Sequence, residues 1–166
     1  MAGRPKSMKN LFKPDTPVKK HNPTASGEAG FDNPRENIDP KVIQRWEPLS
    51  INFFIDGGGA EIDTGIKGCL RIPFPCTIQR STLLVDQSGS IKIDIWKDSY
   101  GNYPPTDADS ICGGNEPEIS GATKNEDSTL TSWSKDLDAG DIIYFNVDSV
   151  ATCTWCLIEL KILRNG

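Results

Sequence analysis

The feature that most constrains the fold is a two-residue alternation of apolar and polar side chains, in short runs that begin at Leu49. One run places apolar residues at every second position from Leu49 to Ile55, and another does so from Ile91 to Ile95. Further apolar runs cover residues 66–72, 76–86, 130–133, 143–147 and 154–163. A period of two is typical of half-buried β-strands. Seven or eight short strands without a convincing long helix predict an all-β, antiparallel, jelly-roll-like β-sandwich, with a barrel as the alternative.

The connections between these runs are predicted from turn residues and length. Ser88-Gly89 separates two of the apolar runs, so we expect a turn there. A long loop is expected from Asp98 to about Thr123, with a short helical turn at 109–112.

The first 46 residues differ in composition from the rest of the chain. They contain few large apolar side chains, and prolines at positions 5, 14, 17, 23, 34 and 40 prevent a long helix. Such a segment has too little apolar surface to offset the entropy of ordering itself. We therefore predict an extended, mostly non-regular arm over residues 1–46 and a β-sandwich domain over residues 47–166.

Charge changes sign at the same boundary. Residues 1–46 carry nine basic and five acidic side chains, a net charge of about +4, so the remainder carries about −9 of the total of −5. A basic arm on an acidic domain suits docking on an acidic surface. A solvated tail that keeps the protein soluble fits the charge equally well.

Four apolar residues of the arm are candidate anchors to a partner or to the domain: Leu11, Phe12, Phe31 and Trp46. Trp46 also fits a simpler role as a cover for the edge of its own domain, and we favour that role. Leu11 and Phe12 lie far from the domain in sequence, so for them we favour a partner.

Targeting signals and disulfides are not indicated. The N-terminus has no apolar core typical of a secretory signal, and no run approaches the roughly 18 apolar residues of a membrane span. We expect the protein to remain in the cytoplasm where it is made unless it leaves by lysis as part of a particle. We expect its five cysteines to be reduced and mostly buried. Cys153 and Cys156 form a single CxxC element, for which core packing is the favoured interpretation over metal binding.

Residues suited to catalysis or metal binding are few. The single histidine, His21, lies in the arm, and Ser-His-Asp or Cys-His chemistry would have to use it. Four aspartates are candidates for paired-carboxylate glycosidase chemistry, although no spacing selects a pair: Asp94, Asp98, Asp107 and Asp109. The last two could also begin a calcium loop, but a capped turn is favoured. We expect no enzyme activity, no metal and no cofactor.

An aromatic group is the best candidate for ligand contact in the domain. Trp96, Tyr100 and Tyr103, with Trp133, could stack against sugar rings. Trp96 lies on the strand face opposite Ile93 and Ile95, which leaves it free for a ligand if that face is open. If both faces of the strand are covered, Trp96 is packed instead.

Residues 62–163 resemble a small β-sandwich module of tailed-bacteriophage virion proteins. The segments that carry the resemblance are Thr64–Gly68, Ile72–Phe74 with Ile78, Asp86–Ser90, Ile93–Lys97, Tyr103–Ile111, Ile119–Ser120, Asp127–Ser128, Leu130, Trp133, Gly140–Asp141 and Phe145–Ser149. Modules of this kind occur on tail, fibre and head-associated proteins, and no catalytic residues belong to them.

The resemblance implies a structural component of the virion, assembled in the host cytoplasm. The chain is short and lacks a fibre repeat, which favours a decoration, cement or head-associated role over a tail or fibre module that binds host glycan. The implied partners are the major capsid protein or other virion subunits, with several copies or a homo-oligomer in the particle. Neither nucleic acid nor a membrane is expected as a partner.

Overall fold

The computed structural model describes residues 49–165, and within them it shows seven antiparallel strands and almost no helix. The strands are β1 (Leu49–Asp56), β2 (Gly65–Arg71), β3 (Cys76–Asp98), β4 (Glu118–Asp127), β5 (Asp136–Leu137), β6 (Ile142–Ala151) and β7 (Trp155–Arg164). The predicted all-β antiparallel class is confirmed. The jelly-roll connectivity stays a prediction, and the proposed arm over residues 1–46 lies outside the described residues.

Alternating side chains form the strands as the sequence predicts. Along β7 the even-numbered residues from Cys156 to Ile162 are buried, while the residues between them are more exposed. On β6 the same pattern buries Ile143, Phe145 and Val147. Each strand therefore has one face in the core and one face outside it.

The longest strand, β3, organises the sheet. Its first half, residues 76–85, pairs antiparallel with β7. Its second half, residues 90–98, pairs antiparallel with β6. The strand order is β1-β7-β3-β6-β2, and β4 and β5 also pair with β3. We call β1, β7 and the first half of β3 the first layer, and β2, β6 and the second half of β3 the second layer.

The predicted turn at Ser88-Gly89 is wrong, because β3 continues through it. Gly89 serves a different purpose, which is to let β3 approach the connection between β6 and β7 closely. A Cβ atom at Gly89 would lie 2.5 Å from Thr152 Oγ1 and 2.6 Å from the carbonyl oxygen of Ala151. The glycine therefore marks a close approach of two backbones, not a chain reversal.

The sheet curls so that its two ends face each other across the core. Phe53 on β1 and Phe145 on β6 have ring centroids 4.4 Å apart with an interplanar angle of 10°, although β7 and β3 separate their strands in the sheet order. Gly68 on β2 makes room for this contact, since a Cβ there would lie 2.9 Å from Phe53. The two layers thus enclose one core, mostly of isoleucine, leucine and valine.

Two other boundaries differ from the prediction. The predicted strand at 130–133 is a turn with positive φ at Leu130 and Ser132, and the buried Leu130 and Trp133 fold under it. Residues 118–127, placed mostly in a loop, form β4. That strand is largely polar, and its pairing with β3 holds it in place more than burial does. The 3₁₀ turn in the long loop lies at Asp107–Asp109, slightly before its predicted position, and a second one lies at Tyr100–Asn102.

Within residues 49–165, no helix is long and apolar enough to cross a membrane.

Candidate functional site

The face of the second layer that points away from the core carries an aromatic surface. This surface consists of Arg71, Trp96, Tyr100, Tyr103 and Tyr144. Tyr144 on β6 lies directly opposite Trp96 on β3, and alternation turns both away from the core that Phe145 occupies. The long loop after β3 covers one side of this face, and Ser110 forms a bridge with Trp96.

Trp96 belongs to the interior of this surface. Its side chain is 9% exposed and packs with Ile142 and Tyr144 in a small cluster separate from the main core. Its indole N–H donates to Asp94 Oδ2 at 2.7 Å. The packed alternative weighed for Trp96 is therefore what the structure shows, and its ring does not present an open platform.

Asp94 fixes the loop against β3. This carboxylate is buried, and besides the indole it accepts hydrogen bonds from Ser110 Oγ at 2.6 Å and from the Ile95 amide at 2.7 Å. Both of its oxygens are engaged, which satisfies a group that would otherwise be costly to bury. Asp94 thus acts as a structural tie for the Trp96 side chain and the loop.

Tyr103 joins the loop to β6. Tyr144 donates its hydroxyl hydrogen to Tyr103 at 2.8 Å, and the two rings meet edge to face with centroids 6.0 Å apart. The hydrogen bond with Tyr103, together with desolvation, raises the pKa of Tyr144 to about 12. Tyr103 is 53% exposed, so one edge of its ring is available to a ligand. Sequence reasoning missed Tyr144, although its place between the inward-facing Ile143 and Phe145 signals an outward side chain.

Tyr100 is the most exposed aromatic side chain of this surface, at 72%. The Arg71 guanidinium carbon lies 5.7 Å from the centroid of its ring, within the range of a cation–π contact. Arg71 is paired with Ile142, two residues along β6 from Tyr144, so Tyr100 and Tyr103 border the same face. Of the three predicted glycan-contact residues, the structure leaves these two accessible.

The aspartates of the loop are used to hold its shape. Asp109 Oδ2 accepts hydrogen bonds from both the amide and the hydroxyl of Thr106, each at 2.8 Å. The bond from the Thr106 amide has the larger effect and the bond from the Thr106 hydroxyl the smaller, and together they hold the pKa of Asp109 below its ordinary value. Asp98 Oδ1 accepts from the Ser99 amide and from the Asn102 side chain. The favoured interpretation of Asp109 as part of a capped turn agrees with this geometry.

The cysteines are free, and four of the five are buried. Burial raises the pKa of the Cys112 thiol far above its ordinary value and that of Cys156 to about 12. Cys153 precedes β7 in the turn and joins Cys156 in the core. A period of two would place residues 153 and 156 on opposite faces of one continuous strand, but the chain turns at Thr152 and β7 begins only at Trp155, so both thiols reach the core. Among residues 49–165, no three histidine, cysteine or acidic side chains cluster in a way that could hold a metal ion.

A polar cavity of about 340 Å³ lies beside β3 and β4. Its lining includes Lys92, whose Nζ lies 2.8 Å from Glu116 Oε2. That pairing lowers the pKa of Glu116 and raises that of Lys92. Asn125 and Asp127, also in the lining, are bonded to backbone groups of their own loop and strand. Lys92, Glu116, Asn125 and Asp127 thus already have partners within the protein.

The predicted anchors Leu11, Phe12, Phe31 and Trp46, and the single histidine His21, lie outside the described residues.

No protein-family model matches this sequence, and no curated protein is similar enough to it to count as a relative. Among solved structures, one chain of "Capsid of Ralstonia phage GP4" is similar, with a TM-score of 0.42 and 12% sequence identity. The alignment covers 74% of this chain and 87% of that chain. A TM-score at this level does not establish a shared fold.

Proposed function

We propose that this chain is a non-enzymatic structural protein of a tailed-phage virion, a capsid decoration or cement protein anchored through its N-terminal arm. The observation that carries the proposal is the similarity of residues 62–163 to virion β-sandwich modules, combined with the basic segment that precedes them. The domain would be displayed on the particle, and the arm would lie along the major capsid protein or a neighbouring subunit.

Charge supports an anchoring arm. Within residues 49–165 there are nine basic and seventeen acidic side chains, a net charge of −8, whereas residues 1–46 carry about +4. A domain with this charge is repelled by an acidic capsid surface, and the arm is attracted to it. An extended segment can also contribute backbone hydrogen bonds and a few apolar anchors over a long track, at an entropic cost on docking.

The chemistry of the domain supports a structural role over a catalytic one. The four candidate aspartates include Asp94, Asp98 and Asp109, which are engaged in hydrogen bonds that hold the fold. The buried thiols have raised pKa values, which makes them poor nucleophiles at neutral pH.

The test is co-sedimentation of purified protein with phage heads that lack it. We expect the full chain to bind heads, residues 47–166 not to bind, and binding to weaken as salt is raised. In the full chain, a double variant with Leu11→Asp and Phe12→Asp should lose binding, while a double variant with Val18→Asp and Ala25→Asp, which adds the same charge at positions not predicted to anchor, should keep most of it. Binding of residues 47–166 equal to that of the full chain would contradict the anchoring role.

The second candidate function is contact with host-surface glycan through the aromatic surface. Exposure of Tyr100 and Tyr103 on one face, beside the Arg71 guanidinium, is the observation that favours it. Aromatic rings stack on the apolar faces of sugars, and a guanidinium can donate hydrogen bonds to their hydroxyl or carboxylate groups.

This candidate is tested by binding the purified protein to host polysaccharide. Tyr100→Ala and Tyr103→Ala should each weaken binding, whereas Phe54→Ala, an exposed aromatic of the other layer, should leave it unchanged. If the natural protein and the three variants bind equally, the aromatic surface is not a glycan site.

A further inference from the structure

A second exposed apolar area lies on the opposite side of the molecule from the aromatic surface, on the outer face of the first layer. Phe54 on β1 is paired with Leu157 on β7, and Leu157 is paired with Leu84 on β3. Trp155 stands beside them, with its ring 5.7 Å from that of Phe54. We call these four residues the apolar row; they cross three strands without a polar residue between them.

The apolar row is exposed to a degree that packing of the domain does not explain. Phe54 is 56% exposed and Leu84 is 39% exposed, while their strand neighbours Ile55 and Leu83 are buried in the core. Strand residues that face solvent are usually polar, because an exposed apolar side chain gains nothing from the fold. A contiguous apolar group of this kind is typical of a surface that another molecule covers.

The charges around the apolar row identify the partner. The same face carries five acidic side chains, Asp56, Asp86, Glu126, Asp136 and Glu159, and three basic ones, Arg80, Lys124 and Lys161, and Arg80 is already paired with Glu126 at 3.3 Å. Its net charge is therefore −2, although the described residues together carry −8. A strongly basic partner would be drawn to the more acidic faces of the domain. A second copy is repelled less by this face than by those faces.

We propose that the apolar row is the contact through which two copies of this chain associate face to face. Two identical faces can meet around a two-fold axis, because each then presents the same apolar centre and mixed-charge rim to the other. β1, β7, β3 and β4, at about 4.8 Å spacing and with roughly eight residues of about 3.3 Å each, present roughly 500 Å². Two such faces bury about 1,000 Å² in total, which is at the lower end of specific interfaces, so the expected dimer is reversible and depends on concentration. This inference does not rest on the virion role.

The experiment is sedimentation velocity of the full chain over a range of concentrations. We expect a monomer–dimer equilibrium for the natural sequence. Phe54→Lys and Leu84→Lys should each raise the dimer dissociation constant by about tenfold or more. Both positions are exposed, so both variants should keep the natural far-ultraviolet circular dichroism. The matched control is Ile66→Lys, which places the same charge at an exposed apolar position of the second layer and should leave the equilibrium unchanged.

Salt separates this contact from association through the basic arm. A face-to-face dimer of two acidic domains should become tighter as salt screens their repulsion, whereas a basic arm bound to an acidic domain should dissociate. The proposal is overturned by a monomer at every concentration, by a dimer that the two first-layer variants leave unchanged, by equal weakening in Ile66→Lys, or by dissociation at high salt.

Discussion

Phe53 stacks on Phe145 with ring centroids 4.4 Å apart, which joins the first strand of the sheet order to a strand near its other end. Phe145 is fully buried. Removal of its ring leaves a cavity where the two layers meet, so Phe145→Ala should lower the free energy of unfolding by about 3–5 kcal/mol. Urea denaturation measures this. Tyr100→Ala, at an exposed position, should change it by less than about 0.5 kcal/mol, and equal effects of the two would argue against a closed core at Phe145.

Gly89 should be intolerant of the smallest side chain. A methyl group there meets Thr152 Oγ1 and the Ala151 carbonyl oxygen, so Gly89→Ala should destabilise the domain by about 1–3 kcal/mol through forced displacement of the backbone. Gly101→Ala is the matched control, since its nearest neighbour would be 3.8 Å away. Thermal unfolding of both variants gives the comparison. If Gly89→Ala leaves the unfolding temperature unchanged, the backbone at Gly89 does not approach Ala151 and Thr152 as closely as described.

Thiol reactivity should separate one cysteine from the other four. Cys69 is exposed, and the others are buried, with burial raising the pKa of Cys112 and Cys156. Because the thiolate is the reactive form, a maleimide at pH 7 should label Cys69 first and the rest only after denaturation. Mass spectrometry counts the labels, and Cys69→Ser should remove the fast one. Fast labelling of a second site would contradict the burial of these thiols.

Acid should weaken the connection between β3 and β7 through Asp86. Burial acts to raise the pKa of this carboxyl, but hydrogen bonds from the hydroxyl and amide of Thr154 and the amide of Trp155 outweigh it and lower the pKa below its ordinary value. A group with a depressed folded-state pKa contributes stability above its unfolded value, near 3.9, and loses it as pH falls.

Asp86→Asn should therefore destabilise the protein at pH 7 and differ less from the natural sequence near pH 2.5, because a protonated carboxyl resembles an amide. Urea midpoints at the two pH values test this. Asp138→Asn, at an exposed position, should retain the natural pH dependence. If Asp86→Asn and the natural protein differ by the same amount at both pH values, Asp86 is not a source of the pH dependence of stability.

Alternation along single strands was sufficient to predict the strand class and most inward faces. It gave the inward faces of β1, β6 and β7 and the outward position of Trp96, because a period of two is a local property of the chain. Alternation failed where pairing with another strand decides the structure. β4 is polar and is held in place by its neighbour β3. Gly89 was predicted to form a turn because the residues it approaches, Ala151 and Thr152, lie more than 60 positions away in the sequence.

The candidate site shows the same division. Tyr100 and Tyr103 could be selected from their residue type, and both are exposed. The burial of Trp96 could not be predicted from the sequence, because it depends on Ile142 and Tyr144 of β6 and on the Asp94 carboxylate. The exposed apolar row was missed for a similar reason, since Phe54, Leu84 and Leu157 become neighbours only through strand register.

The 23-residue strand β3 belongs to both layers at once. A sandwich built from two independent sheets can lose one sheet while the other persists, but here detachment of either layer breaks a strand that the other needs. Local opening is therefore confined to the edge strands β1, β2, β4 and β5, and the centre of the domain should exchange its amide hydrogens only through global unfolding. Such all-or-none behaviour limits partly unfolded forms that proteases or neighbouring chains could capture.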